Sequence, residues 1–397
     1  MKAALVDRFR LQNSYSVALG EALRKRIDGK RVVRFYGPKR FNNTEHPYSD
    51  FDKVWSPFFY PTQIVRRAIQ DRVELIHLQF EFVLFGIPFT PLCVMLLVLA
   101  KVARMRVVVT LHGPIYPRRE HADIIENLRP SGYALSGSLV HAFVISFYLL
   151  MDKLSDRVIV HAEVFRNWLS DFGLKKCMVV PHGVFTFPQS EEAVPSSPKN
   201  ADTILFFGFL SPRKGLEALV KSFSILRGRL PTARLIIAGQ ESTQYRGYGR
   251  TVVRLVEDLN MENDVRFAGF VSDDELPKMI RGCDLVVLPY PNSIAASGPL
   301  AWAVSLGKPI VATRTPYFAE FLRDGYDAIL VEPDDEPGLA AAMERVLTDK
   351  DLQSRMSDNI KKSFSDKTWD DVAGQTVGIY TALLQKPFVN ASDAVPV

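Results

Sequence analysis

Short apolar, β-branched runs alternate along the chain with stretches whose apolar positions recur every three or four residues. In the first half, Ala3–Val6, Arg31–Phe35, Leu75–Leu78, Arg106–Leu111, Arg157–His161 and Met178–Pro181 read as strands. Ser16–Arg26 is typical of what lies between them, with apolar Val17, Leu19 and Leu23 set against Glu21, Arg24 and Lys25. This alternation predicts a parallel sheet covered by helices on both faces. Residues 188–202 are polar and rich in Pro and Ser, and they predict an interdomain connection with 191–202 as the linker proper. A second series follows, with strands at Thr203–Phe207, Arg234–Ala238, Asp264–Ala268, Leu285–Pro289, Pro309–Ala312 and Ala328–Val331. Helices at Gly215–Arg227, Tyr248–Leu259, Asp274–Arg281, Pro299–Leu306, Phe318–Asp324 and Glu336–Thr348 fill its gaps. Trp369–Gln385 reads as a last amphipathic helix packing back on the first domain, and 386–397 as a loose tail. The pattern therefore predicts an α/β protein of two doubly wound, Rossmann-like domains, 1–190 and 203–368. They are expected to face each other across a cleft, because open α/β sheets bind ligands at their strand carboxyl ends.

A length of 397 residues accommodates two such domains, and 47% apolar with 23% charged residues excludes a disordered or fibrous chain. The net charge of +5 is too small to indicate nucleic acid. Cys93, Cys177 and Cys283 are far apart, which argues against a disulfide framework or structural zinc and for a reducing compartment. The opening Met-Lys-Ala-Ala-Leu-Val-Asp reads as a first buried strand instead of a secretory signal. Two segments raise the question of a membrane. Phe82–Ala100 is uncharged but interrupted by Gly86, Pro88 and Pro91, and Leu135–Met151 contains His141 and several Ser. Both read as buried or interfacial helices, not spans. Lys101, Arg104, Arg106, Arg118 and Arg119 lie nearby, and apolar surface flanked by Arg suits a monotopic protein on an anionic leaflet. Helices that simply cover a sheet would look the same.

The loop Phe207-Gly-Phe-Leu-Ser-Pro-Arg-Lys-Gly215 joins a buried strand to a helix. Gly208 admits close backbone approach, and Arg213 and Lys214 set two cations beside a helix N-terminus, where an anion is already favoured. An exposed basic turn is the plainer reading. Tyr290–Trp302 follows the strand Leu285–Pro289, with Ser297 as a natural helix N-cap before Gly298 and Pro299. The Ser297 hydroxyl and the N–H groups of Gly298 and Leu300 could grip phosphate oxygens, or Ser297 could cap only its own helix. Two such helix starts in one domain together favour a diphosphate. In the first half His112, His161 and His182 each end a strand, at spacings that match no zinc ligand set. His112 is placed to offer a hydrogen bond to a hydroxyl or carbonyl, and a satisfied core histidine is the alternative.

These residues carry a family resemblance. The second half resembles the donor domain of glycosyltransferase family 4, retaining enzymes of the GT-B fold. The matching features are Gly208–Gly215, Leu235–Gly239, Val265–Val271, Cys283–Pro289, Gly307–Val311, Glu320–Gly325 and Trp369 with its final helix. In the first half Leu75-Ile-His-Leu, Val109-Thr-Leu-His-Gly113 and Val179-Val-Pro-His-Gly-Val184 are similar to the family's pattern. The resemblance implies a nucleotide-sugar donor whose diphosphate is held by Gly208, Arg213, Lys214, Ser297, Gly298 and Leu300. Gly239, Gly269, Val271 and Trp302 would lie against base and ribose. His112, Asn292 and Ser293 would meet the donor sugar, and Asn13, Ser14 and Tyr15 the acceptor. His112 and Lys214 would be the catalytic pair, stabilising a departing diphosphate and an oxocarbenium-like sugar without a metal or other cofactor. The expected donor is GDP-mannose, with a UDP-sugar second, and the expected acceptor is a lipid-linked sugar or glycolipid. The protein would then be cytoplasmic and peripheral on the inner face of the cell membrane. Where the family commonly has two glutamates and a loop arginine, this chain has Ile294, Trp302 and Phe209. Those departures leave open a catalytically weak or non-catalytic sugar-nucleotide-binding paralogue. A sugar-nucleotide epimerase would need carboxylates facing the sugar, which the matched positions lack.

Overall fold

The computed structural model describes residues 1–7, 15–26, 32–39, 51–56, 58–81, 90–114, 137–187, 202–241, 245–292 and 295–386. The chain forms two compact units, Met1–Gly183 joined by Trp369–Val397, and Val184–Thr368. Each is a doubly wound parallel α/β sandwich.

In the first unit the strands are β1 (Lys2–Val6), β2 (Val32–Pro38), β3 (Phe51–Trp55), β4 (Leu75–Phe80), β5 (Arg106–Leu111), β6 (Arg157–Val160) and β7 (Cys177–Val179). They lie in the order β3-β2-β1-β4-β5-β6-β7. β4 and β5 are buried at every position, including the polar His77 and Gln79 of β4 and Arg106 and Thr110 of β5. The edge strand β3 carries Asp52 and Lys53 among five residues and escaped the hydrophobic pattern. Strand order reverses between β1 and β4, so the carboxyl ends of these two strands flank the switch point of the sheet. Helix α1 (Tyr15–Arg26) packs beside the last helix of the chain (Trp369–Leu384), and Arg26 Nε and Nη2 donate to Asp370 at 2.6 and 2.5 Å.

α2 (Tyr60–Gln70), α3 (Thr90–Val102) and α4 (Gly137–Leu154) pack against one another in that order, and α5 (Glu163–Asp171) follows β6. α3 buries Cys93, Leu96, Leu97 and Ala100 and exposes Met95, Val98 and Val102; α4 buries Val144, Phe147, Tyr148 and Met151 and exposes Leu139, Leu149 and Leu150. Both apolar segments thus cover the core with one face and turn apolar side chains outward with the other. Among the described residues no helix is long and apolar enough to cross a membrane. Two of the nearby cations pair with a carboxylate. Arg106 is buried at the start of β5, and both it (3.3 Å) and Lys101 (2.7 Å) are drawn to Asp156. Arg104 is exposed, and Arg118 and Arg119 lie outside the described residues.

The second unit's strands are β8 (Asp202–Phe207), β9 (Ala233–Ala238), β10 (Val265–Gly269), β11 (Leu285–Leu288), β12 (Ile310–Thr313) and β13 (Ile329–Val331), in the order β10-β9-β8-β11-β12-β13. Here the reversal falls between β8 and β11. The helices are α6 (Leu216–Arg229), α7 (Tyr248–Asp258), α8 (Leu276–Arg281), α9 (Gly298–Ser305), α10 (Pro316–Phe321), α11 (Glu336–Thr348) and α12 (Lys350–Ser363), and the final helix of the first unit is α13. α10 stops three residues short of the expected Asp324, because Leu322 turns extended and Asp324 pairs as a bridge with Ala328.

Candidate active site

Period-2 alternation sets Gln79 two residues after His77 on β4, and His112 two residues after Thr110 of β5, so the four side chains share one face. His161 ends β6 beside them. His77 Nε2 lies 2.7 Å from Thr110 Oγ1 and 3.1 Å from the Gln79 amide, and its Nδ1 lies 2.6 Å from Tyr380 Oη on α13. His112 Nε2 lies 2.9 Å from the Gln79 amide oxygen, and His112 Nδ1 lies 3.0 Å from His161 Nε2. The Tyr15 ring stands edge-on to His112 (4.8 Å), His182 (5.5 Å) and Trp369 (5.1 Å) and tilted on His161 (4.6 Å). Burial pulls His77 and His161 down to about 3 and His182 to about 4, and holds His112 well below the usual imidazole range, with repulsion from neighbouring histidines adding to the effect at His77, His112 and His161. The expected histidine group is therefore a neutral polar network, buried at His77 and His161 and half-buried at His112 and His182. Both ring nitrogens of His112 already have partners, and Tyr15, expected at the acceptor, is the hub of this packing.

In the second unit the two helix starts converge on Tyr290. Pro212–Lys214 makes one 3-10 turn, and Gly215 leaves it in the left-handed region (φ +69°) to open α6. A Cβ at Gly215 would stand 1.8 Å from the Pro289 carbonyl oxygen, so only glycine lets this turn lie against the end of β11. Lys214 Nζ stands 3.8 Å from the centre of the Tyr290 ring, and Tyr290 Oη lies 3.2 Å from Ser297 Oγ. Gly208 sits against Pro299, whose Cγ would be 3.3 Å from an added Cβ. One aromatic side chain thus links the cation of the first loop to the cap of the second, at the switch point of the sheet.

The donor groups at these helix starts are in part already used. Ser297 Oγ accepts the Leu300 N–H (3.2 Å), so hydroxyl and amide hold each other as an N-cap. At α6 the Tyr248 hydroxyl takes the Leu216 N–H and donates to Glu217. Gly239 N–H donates to Gly269 O at 2.7 Å, which draws the ends of β9 and β10 together beside Gly208, and Val271 follows half-buried. Trp302 is 7% exposed, with its ring stacked on Phe187 (5.3 Å) and tilted on Phe185 (4.7 Å). Contact between Trp302 and a base would require that sandwich to part. Asn292 is half-buried, while Asn13, Ser14, Ser293 and Ile294 lie outside the described residues. Sequence reasoning passed over Gln79 and Tyr380, and gave no role of their own to His77 and Tyr290 within the segments it singled out. Two polar residues at i, i+2 in the otherwise apolar β4 were a readable signal; Tyr290 left none.

Two parallel doubly wound sheets of this order define the GT-B class of glycosyltransferase fold, and solved structures agree. HepE of Anabaena, in complex with UDP-glucose, superposes with a TM-score of 0.73 at 17% identity, covering 96% of this chain and all of that one. Sucrose-phosphate synthase from Thermosynechococcus elongatus gives 0.72 at 18% identity, covering 97% and 99%. The model of Glycosyltransferase Family 4 matches residues 12–186, and that of glycosyl transferases group 1 matches residues 189–363. Both halves of the chain thus match models of glycosyltransferase domains. An uncharacterized glycosyltransferase of Methanocaldococcus jannaschii is 31% identical over 46% of this chain and 45% of its own length. Phosphatidyl-myo-inositol mannosyltransferase of Mycolicibacterium smegmatis is 26% identical over 58% of each chain. The match spans about half the length of these curated relatives.

Proposed function

We propose that this chain moves a sugar from a nucleoside-diphosphate sugar to a lipid-linked or glycolipid acceptor, with retention at the anomeric carbon. The observation that carries this reading is the Lys214–Tyr290–Ser297 cluster at the switch point between β8 and β11. A diphosphate fits there because two cations stand at the opening of α6, whose dipole favours negative charge. Lys214 and Arg213 stabilise the leaving diphosphate, and charge stabilisation of this kind needs no metal. Gly208, Gly298 and the neighbouring amides complete that surface, Gly239, Gly269 and Val271 serve the nucleotide, and His112 serves the sugar. GDP-mannose is the first donor to test, in keeping with the mycobacterial relative's mannosyltransferase name, and UDP-sugars the second, in keeping with the UDP-glucose complex of HepE.

The outward apolar side chains of α3 and α4, with Arg104 beside them, support a face that rests on the inner leaflet and receives the acceptor there. Purified protein should transfer mannose from GDP-mannose to a lipid acceptor in anionic vesicles with EDTA present, and should sediment with those vesicles at low salt. Release and transfer from neither GDP- nor UDP-sugars would leave only a non-catalytic binder, the reading that Trp302 in place of a glutamate favours. Protein that stays in the supernatant would remove the membrane face.

A further inference from the structure

The polar side chains at the edge of the first sheet form one linear chain of contacts, from Tyr380 through His77, Gln79, His112 and His161 to the Val180 carbonyl. Its far end has fixed polarity. Val180 O can only accept, so His161, 3.0 Å away, carries its proton on Nδ1. Buried imidazoles without a counter-charge are neutral. A neutral His161 offers a bare Nε2, and His112 must therefore donate to it from Nδ1. His112 is then bare at Nε2, and that nitrogen faces the Gln79 amide. An oxygen there would set two acceptors against each other, unless His112 held a second proton. With the amide turned so that its NH2 faces His112 and its oxygen faces His77, every member is satisfied. His77 then donates from Nε2, to Gln79 and Thr110, and accepts the Tyr380 hydroxyl proton at Nδ1.

We infer that His161 sets His112 as the Nδ1–H tautomer and that Gln79 is a positioning residue that supports it by donating to Nε2, so that His112 meets its ligand as a hydrogen-bond acceptor through Nε2 and not as an acid. A hydroxyl can take the place of the Gln79 amide as donor to that nitrogen; a carbonyl or a phosphate oxygen cannot. This differs from the expectation that His112 offers a hydrogen bond to a hydroxyl or carbonyl. Among the described residues the titratable groups around His112 are His77, His161 and His182 from the sheet and Tyr15 from α1, and none of these supplies a negative charge at neutral pH.

The catalytic part of this inference rests on the reading of His112 as a sugar-binding residue; the tautomer does not. The test is long-range proton–nitrogen NMR of the full chain labelled with 15N-histidine at pH 7.5, with His112 assigned from the His112→Asn spectrum. His112 is expected to show a protonated Nδ1 and a bare Nε2, and a protonated Nε2 would overturn the inference. Gln79→Glu offers only acceptors, so it should move the proton to Nε2 or create an imidazolium, raising the His112 titration by roughly one to three pH units. The acid limb of the turnover profile should rise with it. Loss of turnover at every pH with an unchanged tautomer would make Gln79 merely structural and overturn its positioning role. A shifted tautomer with unchanged turnover would keep the relay but remove His112 from the sugar site, and that failure belongs to the functional reading.

Discussion

Along the carboxyl edge of β4 to β6 the first sheet gathers four histidines, Gln79, Tyr15 and Tyr380; along the edge of β8 and β11 the second gathers Arg213, Lys214, Tyr290 and Ser297. Both sheets reverse strand order beside these groups, yet the chemistry diverges. Among the described residues the first edge is uncharged and linked by hydrogen bonds among its own side chains, which suits the hydroxyls of a sugar. The second edge is cationic, which suits a diphosphate. Topology supplies the place, and side-chain charge sets the two edges apart. All seven histidines fall between His46 and His182, so the second unit has none.

Acid gives the largest expected effect and separates the two edges. The folded values of His77 and His161, about 3, lie below the ordinary 6.5, so the unfolded chain binds protons that the native chain refuses. The stability they contribute is complete above about pH 6.5 and is lost as pH falls toward 3. At pH 5 the loss is about 2 kcal/mol for each of these two fully buried groups. Acid unfolding followed by hydrogen exchange should therefore open residues 1–183 before 184–368; simultaneous opening would break the distinction. Next in size, His112→Ala should lower turnover by about a hundredfold, the scale of one lost hydrogen bond to a reacting group, while GDP or UDP affinity changes less than about threefold. Steady-state kinetics with nucleotide titration checks this, and a parallel loss of affinity would place His112 at the diphosphate. The smallest effect is expected from Trp302→Phe. The swap keeps an aromatic ring between Phe185 and Phe187, so thermal unfolding should report a cost under about 1.5 kcal/mol with donor affinity unchanged. A large loss of affinity would return Trp302 to the nucleotide.

The buried strands were legible because parallel strands covered on both faces are mostly apolar, as four of six positions are in both β5 and β8. β3 was not, since a half-covered edge tolerates Asp52 and Lys53. The basic loop was legible as a local signature: glycine, two cations and a helix start within nine residues of Phe207–Gly215. Partnerships made across distant sequence were not. Nothing near Trp302 announces that Phe185 and Phe187 will enclose it, and nothing near His112 announces that Gln79 and His161 will take both its nitrogens. Hydrophobic period reports which face is buried; it does not report which polar atoms meet there.

The proposed function turns on whether the opening of α6, with Lys214 held over Tyr290, receives the donor's diphosphate. Calorimetric titration of GDP and UDP into wild type and Lys214→Ala decides it. A diphosphate is expected to bind wild type more tightly than its monophosphate does. Lys214→Ala should then weaken the diphosphate by roughly 30- to 150-fold, about 2–3 kcal/mol for a charge-assisted contact. Equal affinity of the two proteins for GDP and for UDP would contradict it.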